Sequence, residues 1–534
     1  MAARLRHQGL GRRFTLGFGG ELDLGGLIDQ QLEESVPDAL LAEKAKQLRQ
    51  RHPCLERRMR SAEVWGGSIS SLLADATVVS LASPFTMHPH RSRVAGGGFK
   101  RDARRAHPLN VEVLLDAALD CAVLANDHAL DYQEEGLADT LATLEIAGLK
   151  HAGAGEDGAA AARPAMLKVM GRNVAIFSVS AVGSGMRDAA GREMWAAAPG
   201  RGGIAHVDLH GDDAAVAAQL ARLSEAVRVT KEASAVKIHL VVFSLCWAHR
   251  LEDAAAGAAL DVPADVRAFA RGLVDMCGAS LVHGHGPSHA LGCEVWHGAP
   301  ILYSLGAVVS DACAGESRGA AAALRPDLSF FASVQFSGSN DVEYVELRPL
   351  CNRLLQLNPA RGRDRKWLYD AMAKMSSELG GTRVVAAKDV LVLPVTTLPE
   401  YATPRPAPPR RPPPPRATGG RTAPYTALEE EEHARAAAAA AVFAPPSRPR
   451  QRPSARARTA PYTSSSRADY FGGDVELGLG SAAAKGWRPG QESPRSTPPV
   501  SPNWRAKEDR ASRTFSTDPD EEVPLDELIR SLRV

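Results

Sequence analysis

The sequence predicts an α/β domain followed by a disordered tail. Two observations point to the domain and one to the tail. Short apolar runs close on glycine, acidic or histidine residues, as buried strands do where they meet loops. Amphipathic helical patterns stand between these runs, and that alternation marks the α/β class. From about Pro404 the chain turns to proline and arginine, as in PRPAPPRRPPPPR, a composition that packs no core. The expected organisation is a flexible N-terminus at 1–13, one domain at 14–400 and a tail at 401–534.

The elements follow in chain order. Phe14–Gly20 reads as a strand ending in glycines, with Glu21 and Asp23 at its exit and a helix from Leu27. Thr77–Ala82 closes a second strand. The segment 91–100 is a glycine-rich loop, and Lys100, Arg104 and Arg105 are either cations for an anionic substrate or charges of a solvated loop. Asn110–Leu119 reads as a helix, Cys121–Ala125 as a buried strand, and Leu137, Leu141 and Leu144 mark the next helix. Val174–Val179, Ala205–Leu209 and Val236–Phe243 are further strands, with a helix from Asp213 to about Arg228. An amphipathic helix, Val266–Cys277, leads to the strand Ala279–Val282. Ser329–Phe336 and Val342–Leu347 read as a hairpin, Arg365–Leu379 as the last helix and Val390–Pro394 as a closing strand.

Composition excludes several classes. Net charge is +1, so no global field draws nucleic acid or a membrane surface. The tail has no regular aromatic pattern for single-stranded nucleic acid. Seven scattered cysteines suit free thiols in a reducing compartment, hence a cytoplasmic address. No apolar run reaches the roughly 18 residues of a membrane span. No signal-peptide core stands at the N-terminus, although Arg4, Arg12 and Arg13 leave a transit peptide open.

The densest chemistry lies in Gly278–Asp311, where His283, His285 and His289 crowd a Gly- and Pro-broken strand end. Three imidazoles on such a loop suit a metal or phosphate site. This stretch, VHGHGPSHALGCEVWHGAPILYSLG, resembles the C-terminal signature of the CapA family, the poly-γ-glutamate capsule-synthesis proteins. LANDHALDYQEEGLADTL at 124–141 and GGELDLGG at 19–26 continue the likeness, which runs from about 14 to 395.

The resemblance implies a calcineurin-like metallophosphoesterase fold, a layered α/β/β/α sandwich with one or two divalent ions (Zn, Mn, Fe or Mg) at its strand ends. It places Glu21, Asp23, Asp127, Cys246, His285 and His289 as the metal ligands and His128 as the general acid. It also implies a phosphoester or acyl-phosphate chemistry on an anionic small-molecule or polymer substrate. Several positions depart from the family. Glu21 stands for Asp, Cys246 for His, and Ser80 and Ala82 for the Asn and Glu of the middle motif. Gly286 and Ser288 also differ within the His-rich loop. These departures support a competing reading, a catalytically inactive scaffold that binds protein partners through its tail. The tail repeats RTAPYT, carries Ser493-Pro494 and Ser501-Pro502, and ends on a helical face of Leu525, Leu528, Ile529 and Leu532. His249, three residues past Cys246, substitutes as a ligand only if the loop between them bends.

Overall fold

The computed structural model describes residues 12–399 apart from 56, 69–71, 73, 95–97, 101, 189–190, 210–211, 248–260, 312–323 and 398. His249, Cys313, segment 1–11 and every feature expected in the tail lie outside the described residues.

Two sheets face each other. The first contains β1 (Phe14–Leu22), β2 (Ala76–Leu81), β3 (Cys121–Val123), β4 (Lys150–Ala152), β13 (Ala307–Val309), β14 (Leu328–Phe336), β15 (Val342–Arg353), β16 (Gln356–Pro359), β17 (Val385–Ala387) and β18 (Val390–Pro394). Its order is β17-β18-β15-β14-β1-β2-β3-β4, with β13 beside β1 and β16 beside β15. The second holds β6 (Ala165–Val169), β7 (Arg172–Ser180), β9 (Ile238–Cys246), β10 (Leu281–His285), β11 (Cys293–Trp296) and β12 (Ala299–Leu302), in the order β11-β12-β10-β9-β7-β6. A short ribbon pairs β5 (Ala154–Gly155) with β8 (Gly203–Ile204). β1 through β4 run parallel, as do β7, β9, β10 and β12, so the C-terminal ends of parallel strands gather in each sheet.

The strand pattern explains the layers. Phe14, Leu16 and Phe18 repeat at period two and share one buried cluster with Ile176, Val242 and Leu281 of the other sheet. The outer face of the first sheet packs Val79 and Ala122 against apolar residues that include Leu114, Leu137 and Leu144. Phe177, Phe243 and Val282 on the outer face of the second sheet meet Leu220, Leu223 and Phe269 of helices Asp213–Ala233 and Ala264–Asp275. The result is the expected helix–sheet–sheet–helix sandwich. Two expected elements differ. Ala205–Leu209 forms only an isolated bridge, Ser180 to His206, and Asn110–Leu119 divides into a 3-10 turn, Pro108–Val111, and a short helix, Glu112–Asp116. Pro108 opens the turn, and Ala118 takes a positive φ of 51° soon after, which stops the helix.

β1 is bent at its end, and that bend builds the site. Its register shifts against β2 between Phe18 and Glu21, and against β13 between Glu21 and Leu22. After the shift Leu22 and Leu24 join the outer core, so the alternate positions Glu21 and Asp23 belong to the inter-sheet side. The close approach of Gly20 to Gly306 makes this possible. A Cβ on Gly20 would stand 1.9 Å from the Gly306 carbonyl oxygen, which is backbone and cannot yield. Gly20→Ala is therefore expected to destabilise the fold by about 1–3 kcal/mol, the usual scale of overpacking. A urea midpoint equal to wild type would refute the constraint.

Candidate active site

The second sheet changes character along its inner face. Ile176, Val242 and Leu281 are apolar, whereas the next positions of the same parity are Ser178, Ser244 and His283, and then Ser180, Cys246 and His285. Strand register sets these side by side, Ser178 with Ser244 and His283, Ser180 with Cys246 and His285. Ser244 Oγ lies 3.0 Å from His283 Nδ1. Burial pushes the His283 imidazole down to about 4, and burial with the neighbouring His283 pushes His285 well below its usual range. Both rings are neutral at pH 7. Neither ring nitrogen of His285 has a hydrogen-bond partner among the described residues, although the residue is 1% exposed.

From the first sheet, Glu21 and Asp127 act on the same corner. Burial first, then the carboxylates of Asp127 and Glu21, drive the Cys246 thiol well above the usual thiol range. Ser180 and the Asp127 amide, which face the sulfur, pull weakly the other way. Asp127 and Glu21 thus act electrostatically on Cys246, and His285 stands beside Cys246 in register. His289 follows the strand end, where its carbonyl accepts from Ser304 Oγ at 2.9 Å.

The motif LANDHALDY forms a tight turn after β3. Asn126 is fully buried; its amide donates to the Leu81 carbonyl at 2.8 Å, and its Oδ1 accepts the His128 amide at 3.0 Å. His128 Nδ1 lies 2.7 Å from Asp131 Oδ2, and Nε2 lies 3.6 Å from Asp127 Oδ2. Asp131 is also fully buried and accepts from Lys100 Nζ at 2.6 Å and from the Arg104 amide at 2.7 Å.

Lys100 and Arg104 are the residues that sequence reasoning misjudged. The plainer expectation was a solvated loop, yet Lys100 is 7% exposed. Its ammonium donates to the Asp127 carbonyl oxygen, sits 3.4 Å from His128 Nδ1 and 3.9 Å from Asp127 Oδ2, and lies 5.1 Å from the centre of the Trp195 ring. Burial works against its charge, but Asp131, Asp127 and Asp102 outweigh burial and raise its pKa above the ordinary lysine value. The Arg104 guanidinium bridges Asp23 Oδ2, at 2.5 Å, and Asp311 Oδ1. Burial opposes that charge too, and Asp23 and Asp311 hold it. The readable signal was the third residue after His128, an Asp at helical-turn spacing that needed a partner.

The donor chemistry fits a bound metal ion in part. A neutral buried imidazole without a hydrogen-bond partner, beside a thiol flanked by two carboxylates, suits a borderline ion such as zinc. Yet among the described residues no three His, Cys, Asp or Glu side chains are grouped so as to hold an ion as they stand. Asp23 and Asp127 lean on the loop cations instead. Ser80 is fully buried 3.4 Å from Asn126 Nδ2, and Ala82 offers no donor, so the end of β2 contributes no carboxylate.

A family model described as bacterial capsule synthesis protein PGA_cap matches residues 15–312, more than half of the chain. The chain belongs to that capsule synthesis family. It is also similar to proteins of two Mycobacterium tuberculosis strains, each named a probable polyglutamine synthesis accessory protein. Each is 33% identical over 347 residues, covering 62% of this chain and 82% of the relative. The family match takes in both sheets' parallel strand ends, from Glu21 to Asp311, and stops short of the hairpin β14–β15. No helix among the described residues is long and apolar enough to cross a membrane.

Proposed function

We propose that this chain is an accessory protein in the synthesis of a polyglutamate- or polyglutamine-type polymer. In this reading its strand-end site cleaves or transfers an anionic phosphoester or acyl-phosphate group. The observation that carries it is the buried Asp131–His128 pair. Asp131 accepts a hydrogen bond from Nδ1–H at 2.7 Å, which leaves Nε2 facing the site; with the ring doubly protonated, Nε2–H is the proton that passes to a leaving oxygen and Nδ1–H stays on Asp131. Lys100 and the Arg104 amide fix Asp131, and Asn126 fixes the His128 backbone, so the imidazole is held in one orientation. A divalent ion held by Glu21, Asp127, Cys246 and His285, with Asp23 and His289 as the other expected donors, would polarise the substrate oxygen and activate water.

The competing reading is a binding protein without turnover, and the carboxylate-free end of β2 favours it. Assays of the full chain with acetyl phosphate and p-nitrophenyl phosphate, in Mn²⁺ or Zn²⁺, separate the two. Turnover is expected, and His128→Ala should lower kcat about a hundredfold with an unchanged circular dichroism spectrum. No turnover of either substrate by the wild-type chain would overturn the hydrolytic reading and leave the binding one.

A further inference from the structure

We infer that Lys100 and Arg104 are built-in competitors of a divalent cation, so that docking of their loop and ion binding at the strand ends oppose each other. This rests on the reading of the site as an ion-binding centre. Five carboxylates, Glu21, Asp23, Asp127, Asp131 and Asp311, gather at the strand ends, and each is 12% exposed or less, by residue or by side chain. Two cations face them, and each spans a pair: Lys100 reaches Asp131 and Asp127, and Arg104 reaches Asp23 and Asp311. Both cations come from one segment of chain, whereas the carboxylates come from β1, the turn after β3 and the end of β13. The segment is pinned at both sides, by the Lys100 amide on the Ser92 carbonyl at 2.9 Å and by the Ala106 amide on the Pro84 carbonyl at 2.9 Å.

The first observation is that Lys100 and Arg104, from one segment, hold four carboxylates that stand on three different parts of the chain. The second, independent observation is His285, whose ring nitrogens are buried and lack hydrogen-bond partners among the described residues. A buried carboxylate needs a compensating charge, and a lysine ammonium or a divalent ion serves that need equally in kind. Asp127 is the contested group: it lies 3.9 Å from Lys100 Nζ on one side and acts on the Cys246 thiol on the other. Asp23 is contested in the same way, since the guanidinium of Arg104 holds its Oδ2 and the Gly25 amide its Oδ1. An ion that gathers Asp127 and Asp23 with Glu21, Cys246 and His285 must draw them from Lys100 and Arg104. The loop then loses two of its anchors. Ion binding would thereby loosen the segment at Asp127 and Asp23, while Lys100 and the Arg104 amide keep Asp131 beside His128.

The test uses the full chain and two readouts apart from activity. Calorimetric titration with Mn²⁺ and with Zn²⁺ compares wild type, Lys100→Met, Arg104→Met and Lys100→Arg. Hydrogen exchange follows the peptide spanning Lys100 to Arg104 with and without saturating ion. The expected result is one ion bound at least tenfold more tightly by the two Met variants than by wild type or Lys100→Arg. Exchange of that peptide in wild type should quicken severalfold on saturation. Tight binding by wild type with unchanged exchange and equal affinity in the variants would overturn the competition while leaving the ion-binding centre. Binding by no variant would overturn both. If Lys100→Met does not fold, Arg104→Met and the wild-type exchange measurement still decide.

Discussion

Asp131→Ala is expected to lower the unfolding free energy by about 3–5 kcal/mol, the cost of removing one partner from a buried ion pair. The physical reason is the company Asp131 keeps. It is fully buried and accepts from Lys100 Nζ, the Arg104 amide and His128 Nδ1. Removing the carboxylate leaves a 7% exposed ammonium facing fewer counter-charges, and it strands an amide that water does not reach easily. Asp131→Asn keeps the shape and one acceptor, so it should cost less, and the difference between the two variants isolates the packing and hydrogen-bonding part. Urea denaturation at pH 7 measures both. A loss below about 1 kcal/mol for Asp131→Ala would mean that Asp127 and Asp102 alone hold Lys100, contrary to the geometry.

The second large effect depends on pH and centres on Asp29. This residue lies in the first helix, Gly26–Gln31, and is fully buried. Oδ1 accepts the His107 amide at 2.7 Å and Asn110 Nδ2 at 2.9 Å, while Oδ2 accepts the Val36 amide at 2.8 Å and Gln30 Nε2 at 3.1 Å. These four donors favour the charged form, yet burial outweighs them and raises the carboxyl from 3.8 to about 6. A carboxyl with a folded pKa above its unfolded one binds its proton more tightly in the folded protein. Its contribution to stability is therefore most favourable at low pH and is lost as pH climbs through that window. A shift of about 2 units corresponds to a loss of about 3 kcal/mol. The measurable quantity is the stability of wild type minus that of Asp29→Asn, at pH 4 and pH 7. That difference should fall by about 2 kcal/mol between the two, because the variant lacks the titrating group and the rest of the change lies below pH 4. A difference independent of pH would show that Asp29 is not raised. His107 closes the segment that carries Lys100 and Arg104, so Asp29 also ties the first helix to the loop over the site.

The motifs that carry the candidate site were legible in the sequence because they are local. LANDHALDY reads as a strand end followed by a turn, and Asp127 and His128 stand at that turn. The pair Glu21 and Asp23 could be assigned to a strand exit, but not to a face. Two register shifts in β1 decide the face, and they arise from the meeting of Gly20 with Gly306, nearly three hundred residues apart in the chain. Cys246 and His285 could each be named as a donor; only the parallel pairing of β9 with β10 makes them neighbours.

The sequence alone determined the class of fold and the succession of most elements along the chain, because period-two patterns and glycine-terminated strands are local signals that leave a direct trace in residue order, and its motifs carried the resemblance to the family. The tertiary structure decided the charge state of the site. A lysine beside glycines reads as a solvated cation until its partners are known. Lys100 is buried because Asp127 and Asp131, from another strand end, compensate its charge, and Arg104 is buried because Asp23 and Asp311 arrive from opposite ends of the domain. Burial of a charge is permitted only by its partners, and partners distant in sequence meet only in the folded chain.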